Sequence, residues 1–447
     1  MPTYIMFMAF VTSFSSANLA LLSQYVGARM YNELAEAFRK MLFISVAGGV
    51  ASGALFYVLA PYMFTYFVQT PLEILPDTVG YAQVLALDVV VQGFNMALVT
   101  LIQSMGDTRT TSISQMLGGL ANVVLDPVFI NGLGPVPAMG AVGAALATVL
   151  SKFVSIAMML RSLIKHYPWI KVKAKFHVDV QYLSLTLRVA TPLLVMSISN
   201  SFAFNLQNRL VNTFGVIAAT AFSLGFLLFD LANTSLWGLT EGIAIMVGQS
   251  LGAGDTKRAK SVAAKTTLFI FVMVAASSLA IFFARHYIAA VFLTGQGVSP
   301  EDVAEIYREF EEFVALTIWT LAFFGLTFSS MSVGRGSGQT LTPTMINIIR
   351  LWGFRIGLGY LLALAMGLGT VGIYIAFALS NVVGGVMSVV WVLRGSWAKP
   401  LINLDSKSPA KPSEHGELSD VATKPTPHFE KSKETTGCSS VEQLSNH

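Results

Sequence analysis

Charged residues are scarce in this sequence. Only 12% of its 447 residues are charged, and 54% are hydrophobic, whereas soluble domains average about 25% charged residues. A large water-soluble protein needs far more charged surface, so this composition excludes a soluble globular fold. The apolar runs reach about 20 residues or more, which is long enough to cross a bilayer core. We therefore expect an all-α polytopic membrane protein.

Cysteine and nucleotide-binding motifs are also lacking. The single cysteine, Cys438, excludes an internal disulfide framework and a cysteine metal site. The segment 252–258 contains a lysine but not the phosphate-loop spacing, and 334–338 lacks the lysine altogether. We expect no ATP site, no cofactor, no nucleic-acid partner and no enzyme activity, so any pumping must draw on an ion gradient.

Three short segments of the first half recur in the same order in the second half. The offsets are 225, 232 and 229 residues for the pairs 24–28 and 249–253, 104–110 and 336–342, and 139–151 and 368–380. In the first pair, Gln24 and Gly27 match Gln249 and Gly252. Such a duplication in an apolar chain is typical of secondary transporters, in which two similar lobes move around a central site.

Apolar runs between polar breaks predict eleven membrane-spanning helices. Their approximate extents are 3–26, 41–68, 79–104, 109–130, 140–164, 184–213, 217–250, 266–293, 312–333, 343–366 and 370–394. By the duplication offset, the counterpart of the helix at 184–213 falls before residue 1. Two homologous helical lobes of five plus six helices are therefore predicted, with twelve helices expected in the complete protein and the first one missing here.

The same division predicts the domains. They are an amino-terminal lobe at 1–164, a linker at 165–183, a carboxy-terminal lobe at 184–397 and a disordered polar tail at 398–447. Basic residues crowd the linker and the loop after the helix at 217–250, whereas acids dominate 301–312. The positive-inside rule then places the linker and the tail in the cytoplasm of a multi-pass plasma-membrane protein.

Polar residues inside predicted membrane helices point to an ion site. A central carboxylate costs at least about 2.5–3.5 kcal/mol, and Asp126 lies deep in the helix at 109–130. Asn122 lies one turn earlier on the same face, and Pro127 frees a backbone carbonyl. These oxygens suit a titrating proton or a Na⁺ ion bound at Asp126 and Asn122. The alternative is a structural hydrogen bond at a helix kink.

A second polar stripe lies on the helix at 79–104. Asp88, Gln92 and Asn95 have the spacing i, i+4, i+7, which places them on one helix face. We interpret Asp88 and Asn95 as the facing wall of the cation-coupling site and Gln92 as part of the substrate cavity. A polar seam that fastens two helices is the alternative.

The second half offers further candidates for the substrate cavity, namely Asn200, Asn205 and Glu241. Glu241 is open to a second interpretation, as a paired structural acid. Arg350 and Arg355 are five residues apart and so do not share an α-helical face cleanly. We interpret them as structural side chains whose long stems reach the cytoplasmic interface.

Several motifs, in this order, resemble a known family. They are NMALVTLIQSMGDTRT at 95–110, ANVVLDPVFINGLG at 121–134, GAVGAALAT at 140–148, VGQSLGAGD at 247–255 and IIRLWGFRIGLGYLLA at 348–363. Together they resemble prokaryotic multidrug and toxic compound extrusion (MATE) transporters. The resemblance implies two six-helix lobes, export of organic cations driven by Na⁺ or H⁺, and a cation site at Asp126, Asn122 and Asn95. It also implies an aspartate on the first helix, which this chain does not contain.

The expected function is therefore secondary active efflux of small amphipathic organic cations by a monomer in the lipid bilayer. Two alternatives stay open: a flippase for lipid-linked oligosaccharides, and a truncated membrane protein that does not transport. A flippase favours several cationic side chains that bind phosphate. The membrane charges noted in the first half are acids, which favours a cationic substrate.

The orientation is testable by cysteine labelling. Single cysteines at Ser162, Ser299 and Ser406, with Cys438 replaced, are treated with a membrane-impermeant thiol reagent on intact cells. Only the cysteine at 299 should react before lysis, because charge bias places the other two in the cytoplasm. Reaction at 406 in intact cells would overturn the helix count.

Overall fold

The structure, a computed structural model, describes residues 2–67, 73–170, 179–293 and 300–403. Regular structure in these ranges is helical throughout, which confirms the all-α prediction. Residues 171–178 of the predicted linker and 404–447 of the predicted tail lie outside the described residues. The segment Met1–Ile402 forms one compact unit, and the predicted lobe boundaries within it stay a prediction.

The chain forms thirteen α-helical segments in the described ranges. They are α1 Pro2–Gly27, α2 Tyr31–Tyr62, α3 Leu75–Ser104, α4 Thr108–Asn131, α5 Gly140–His166, α6 Val180–Asn212, α7 Val216–Gly252, α8 Thr256–Leu293, α9 Pro300–Thr317, α10 Leu321–Ser337, α11 Leu341–Ile348, α12 Leu358–Tyr360 and α13 Gly369–Arg394. A 3₁₀ turn at Ile318–Thr320 joins α9 to α10. Two π-helical segments, Ile349–Gly357 and Leu361–Ala365, flank α12. Ten of the resulting stretches are long and apolar enough to cross a membrane.

Three helices begin well before their predicted apolar runs. Helices α2, α8 and α9 begin at Tyr31, Thr256 and Pro300, about ten residues before the predicted starts. Their opening turns carry charged residues such as Glu33 in α2 and Glu301 in α9. Hydropathy detects only the part of a helix that is apolar, so these polar turns were missed.

The two copies of the repeat meet where α1 and α7 end. A Cβ atom added at Gly27 would lie 2.0 Å from the carbonyl oxygen of Gln249. A Cβ atom added at Gly252 would lie 2.0 Å from the carbonyl oxygen of Gln24. The residues that reveal the duplication in the sequence therefore contact each other reciprocally, backbone against backbone.

The glutamine side chains repeat this reciprocity. Gln249 Nε2 donates to the carbonyl oxygen of Ser104 at 2.9 Å, and Gln24 Nε2 donates to that of Gly336 at 3.4 Å. Ser104 and Gly336 are themselves equivalent at the repeat offset of 232. Each glutamine thus binds the end of a helix in the opposite copy, as expected for parallel repeats that are related by a two-fold axis.

Other contacts between the copies lie towards the same end of the molecule. The Tyr182 hydroxyl donates to Asn18, and Ala17 of α1 packs in one cluster with Val189 and Ala190 of α6. At the opposite ends, α1 and α7 pack within their own copies. Phe7 stacks on Phe56 with ring centroids 4.8 Å apart, and Phe229 packs edge-on against Phe377 at 5.0 Å.

Substitution of Gly252 tests this contact. Gly252→Ala should lower the free energy of unfolding by about 1–3 kcal/mol, because the new methyl group overpacks the Gln24 backbone. Gly242→Ala, in the same helix with nothing within 4 Å of the added Cβ atom, should be neutral or stabilising. Denaturant unfolding of both variants in detergent checks the difference. Equal stability of the two variants would contradict the proposed close approach.

Candidate ion and substrate sites

Asp88 on α3 forms a buried ion pair with Lys152, a residue that was not among the predicted site residues. Its side chain is fully buried, and its Oδ2 atom lies 2.5 Å from Lys152 Nζ on α5. The Tyr4 hydroxyl donates to the same oxygen. The view that the membrane charges of the first half are acids was therefore wrong, because Lys152 neutralises Asp88. A lone lysine within the apolar run at 140–164 was the available signal.

The rest of the α3 stripe is buried as the spacing predicts. Asn95 Nδ2 donates to Gln92 Oε1 at 3.3 Å, which agrees with the shared helix face. Two buried acceptors on this face, Asp88 Oδ1 and Asn95 Oδ1, have no hydrogen-bond partner among the described residues. Unpartnered buried acceptors are costly, and they are the groups with which a cation interacts favourably.

The predicted pair on α4 is formed. Asn122 Nδ2 donates to Asp126 Oδ1 at 3.2 Å, with both side chains half-buried. Asp126 lies five residues before the end of α4 at Asn131, and its depth in the membrane stays a prediction. The helix continues through Pro127. No recorded hydrogen bond joins this pair to the α3 stripe in the described ranges, although Tyr81 on α3 lies within electrostatic range of both Asp126 and Asp88.

The predicted cavity residues of the second half have different surroundings. Glu241 on α7 forms an ion pair with Arg335 on α10, which matches the alternative of a paired structural acid. Asn205 is exposed, and its Nδ2 atom donates to the carbonyl oxygen of Ser201. Asn200 is exposed and accepts a 2.8 Å hydrogen bond from Asn347 Nδ2 on α11.

Asn347 connects Asn200 to a buried cluster around Arg350 and Arg355. Arg350 Nη2 donates to Asn347 Oδ1 at 2.8 Å, and Arg355 Nη2 donates to Asn381 Oδ1 at 2.9 Å. Arg350 Nη1 also points at Asn381 Oδ1, at 3.4 Å. The two arginines are only 4% and 7% exposed. The interpretation that they reach the interface and do not share a face was therefore wrong.

The cause of this error is the helix type. The segment Ile349–Gly357 is π-helical, with hydrogen bonds from residue i to i+5. In such a helix, residues five apart lie nearly above one another, so Arg350 and Arg355 share a face. A spacing rule based on the α-helix cannot detect this arrangement.

The charged pair of the first copy has a neutral counterpart in the second copy. At the repeat offsets, Asp88 and Lys152 correspond to Thr320 and Asn381. The second pair also touches, since Asn381 Nδ2 donates to Thr320 Oγ1 at 3.1 Å. A buried ion pair in one copy is thus a neutral hydrogen bond in the other.

A second pair of equivalent positions exchanges small and large side chains. Gly118 and Ser155 correspond to Arg350 and Gly384. In the first copy, a Cβ atom at Gly118 would lie 2.0 Å from Ser155 Oγ. In the second copy, a Cβ atom at Gly384 would lie 2.2 Å from Arg350 Cδ. Gly384 therefore makes the space that the buried arginine occupies.

A cavity of about 340 Å³ lies between α6 and α7, away from the meeting point of the two copies. Its lining consists of aromatic and aliphatic groups with a few amides and a hydroxyl, namely Phe204, Asn208, Val211, Asn212, Ala219, Phe222, Ser223, Phe226 and Leu227. Part of this lining belongs to α6, the helix that also carries the predicted residues Asn200 and Asn205. They lie about three and about two turns before Asn212.

Comparisons with known proteins agree with this architecture. The MatE family model matches residues 1–128 and 192–361. "Probable multidrug resistance protein YoeA" of Bacillus subtilis is 23% identical over 399 residues, covering 87% of this chain and 84% of that protein. "Multidrug export protein MepA" of Staphylococcus aureus is 22% identical over 356 residues, covering 78% and 75%. The crystal structure of the Vibrio cholerae MATE transporter VcmN superposes with a TM-score of 0.80 at 17% identity, covering 90% and 88%.

The Asp88–Lys152 pair makes a clear stability prediction. Lys152→Met should destabilise the protein by about 3–5 kcal/mol, because it leaves a buried carboxylate without its counter-charge. The double variant Asp88→Asn/Lys152→Met should recover most of the loss, and Lys165→Met, at an exposed position on the same helix, should have little effect. Denaturant unfolding in detergent measures all three variants. A double variant no more stable than Lys152→Met alone would refute the pairing.

Proposed function

The chain belongs to the MatE family of multidrug and toxic compound extrusion transporters, and from that membership we propose that it exports small amphipathic organic cations in exchange for Na⁺ or H⁺. As a member of this family it is a multi-pass membrane transporter and not an enzyme. Its environment is the lipid bilayer, and its substrates are small molecules. The two relatives named for multidrug resistance and export support the substrate class proposed here.

The observation that carries the proposal is the reciprocal contact of Gln24 and Gly27 with Gln249 and Gly252. It closes the molecule at the end that charge bias predicts to be cytoplasmic. The cavity between α6 and α7 lies towards the other end. In alternating access, two repeats rock about a central site, so this arrangement corresponds to a state closed to the cytoplasm. Separation of the two glycine contacts would open that side.

The coupling ion is proposed to bind in the amino-terminal half. Asp126 and the free oxygen of Asn122 offer oxygen ligands for Na⁺, and the same carboxylate accepts a proton. Asp88 Oδ1 and Asn95 Oδ1 add two buried acceptors on α3.

The aromatic cavity suits an amphipathic cation. Phe204 and Phe226 line it with ring centroids 5.1 Å apart. A cation over an aromatic face gains about 0.5–2 kcal/mol, and the polar groups of Asn208 and Ser223 can orient the ligand. Apolar walls with a few placed polar groups are the usual construction of a small-molecule site.

A flippase for lipid-linked oligosaccharides is a second candidate, favoured by one specific observation. Four cationic side chains of the described residues are buried or nearly buried within the helices, namely Lys152, Arg335, Arg350 and Arg355. Phosphate-bearing substrates need such groups. Lys152, however, is neutralised by Asp88, and this pairing favours the cation exporter.

Replacement of Asp126 tests the coupling role. Asp126→Asn should abolish efflux of a fluorescent cationic dye from intact cells, because the amide neither titrates nor neutralises Na⁺. Asp77→Asn, at an exposed acid in the first turn of α3, should export the dye at the rate of the unmutated protein. Membrane content of each variant is measured in parallel by immunoblot.

Two outcomes would count against the proposal. Efflux by Asp126→Asn at the unmutated rate would remove Asp126 from coupling. Absence of dye efflux by the unmutated chain, with normal membrane content, would favour the flippase or the truncated protein that does not transport.

A further inference from the structure

The arginine cluster of the carboxy-terminal half holds two guanidinium groups whose partners among the described side chains are neutral. Among the side chains that the structure describes, which do not include that of Asp230 on α7, no carboxylate lies within 4 Å of either guanidinium group. The hydrogen-bond partners of both are amides and a hydroxyl. Two other acids of this half are paired elsewhere, Glu241 with Arg335 and Glu309 with the Tyr374 hydroxyl.

Neutral partners do not balance two buried charges. Arg350 and Arg355 share the single acceptor Asn381 Oδ1, so two like charges are held close together. Arg355 also stacks on Phe377, with its guanidinium carbon 3.9 Å from the ring centroid. Dipoles and ring faces offset only part of the cost of removing a charge from water. A counter-ion offsets far more.

Two buried hydrogen-bond donors in and beside this cluster lack an acceptor. Arg350 Nε and the Thr327 hydroxyl are buried and have no partner among the described residues. Most buried hydroxyls in these helices donate back to a carbonyl one turn earlier, as Thr317 does to Phe313 and Ser332 does to Phe328. The Thr327 hydroxyl does not.

Gly384 lies beside both the Arg350 stem and the Thr327 hydroxyl. A Cβ atom built on Gly384 would lie 2.2 Å from Arg350 Cδ and 3.2 Å from Thr327 Oγ1. The arginine stem and the hydroxyl therefore lie on the same side of the α13 backbone, close to each other. Thr327 is fully buried and Arg350 is 4% exposed, so the surroundings exclude a large organic ion.

The repeat supplies an independent comparison. Thr327 corresponds to Asn95 at the offset of 232, and both carry an unpartnered buried oxygen. On α3 of the amino-terminal half, Asp88 Oδ1 and Asn95 Oδ1 are unpartnered acceptors. Near Gly384 in the carboxy-terminal half, Arg350 Nε and the Thr327 hydroxyl are unpartnered and can donate. The equivalent positions Asn95 and Thr327 thus lie on a helix face with an acid in one half and near a basic side chain in the other.

We propose that Arg350 and Thr327, with Arg355 adding positive charge, bind a small inorganic monoanion of the chloride class between α10, the π-helical segment and α13. The anion accepts hydrogen bonds from Arg350 Nε–H and the Thr327 hydroxyl. It neutralises part of the charge of the cluster and so stabilises the π-helical segment that carries both arginines. The site does not depend on the substrate or on the coupling ion proposed above.

Thermal unfolding in two sodium salts tests the proposal. The purified full chain in detergent is unfolded in sodium chloride and in sodium gluconate at equal concentration, so that Na⁺ and ionic strength stay constant. Chloride should raise the midpoint of the unmutated protein by about 2 °C or more, because a ligand that binds only the folded state stabilises it. Gluconate is too large for the site and should not.

Thr327→Val separates an anion from a structural hydroxyl. If the hydroxyl binds chloride, the variant should lose most of the chloride-dependent shift and match the unmutated protein in gluconate. Thr344→Val is the matched control, because Thr344 also has a buried hydroxyl without a partner but lies six residues before Arg350, about 9 Å along an α-helix. It should keep the full chloride shift.

Each contrary result overturns the site. Equal midpoints of the unmutated protein in chloride and gluconate would show that no anion binds. An equal loss of stability by Thr327→Val in both salts would show that the hydroxyl is satisfied by water. Crystals grown in bromide provide a direct measurement: an anomalous peak beside Arg350 Nε and Thr327 Oγ1 supports the proposal, and peaks found only elsewhere refute it.

Discussion

The close approach of α1 and α7 is the constraint on which the rest of the structure depends. Backbones of two helices can touch only where side chains are absent, and Gly27 and Gly252 meet that requirement on both sides of the contact. The amides of Gln24 and Gln249 then bind helix ends of the opposite copy. Because the contact is reciprocal, it relates the two halves by two-fold symmetry and closes one end of the molecule.

Within that symmetric frame, the two halves have different chemistry. The position of Asp88, in a pair with Lys152, is held in the other half by Thr320, which bonds Asn381. Both positions of the pair are charged in one half and both are neutral in the other, as expected where an unpaired buried charge is costly. The Gly118–Ser155 contact is likewise exchanged for a contact of Arg350 with Gly384, which conserves space while it introduces a charge.

Buried polar atoms without a hydrogen-bond partner indicate where each half can bind an ion. Acceptors without partners lie on α3 near Asp88 and Asn95, and unpartnered donors lie near Arg350 and Thr327. The α3 face is therefore suited to a cation, and the surroundings of Arg350 are suited to an anion. In a transporter, opposite polarity in two related halves allows the halves to respond to different ligands while they share one rocking movement.

The amino-acid sequence alone determined the helical membrane fold, the duplication and the Asn122–Asp126 pair, because hydropathy, repeat offsets and one-turn spacing are local properties of the chain. The tertiary structure decided which charges are compensated. Lys152 lies 64 residues from Asp88 in the chain, and no local spacing rule connects them. It also decided the helix type at Ile349–Gly357. There, i to i+5 bonding places Arg350 and Arg355 on one face, whereas α-helical periodicity separates them.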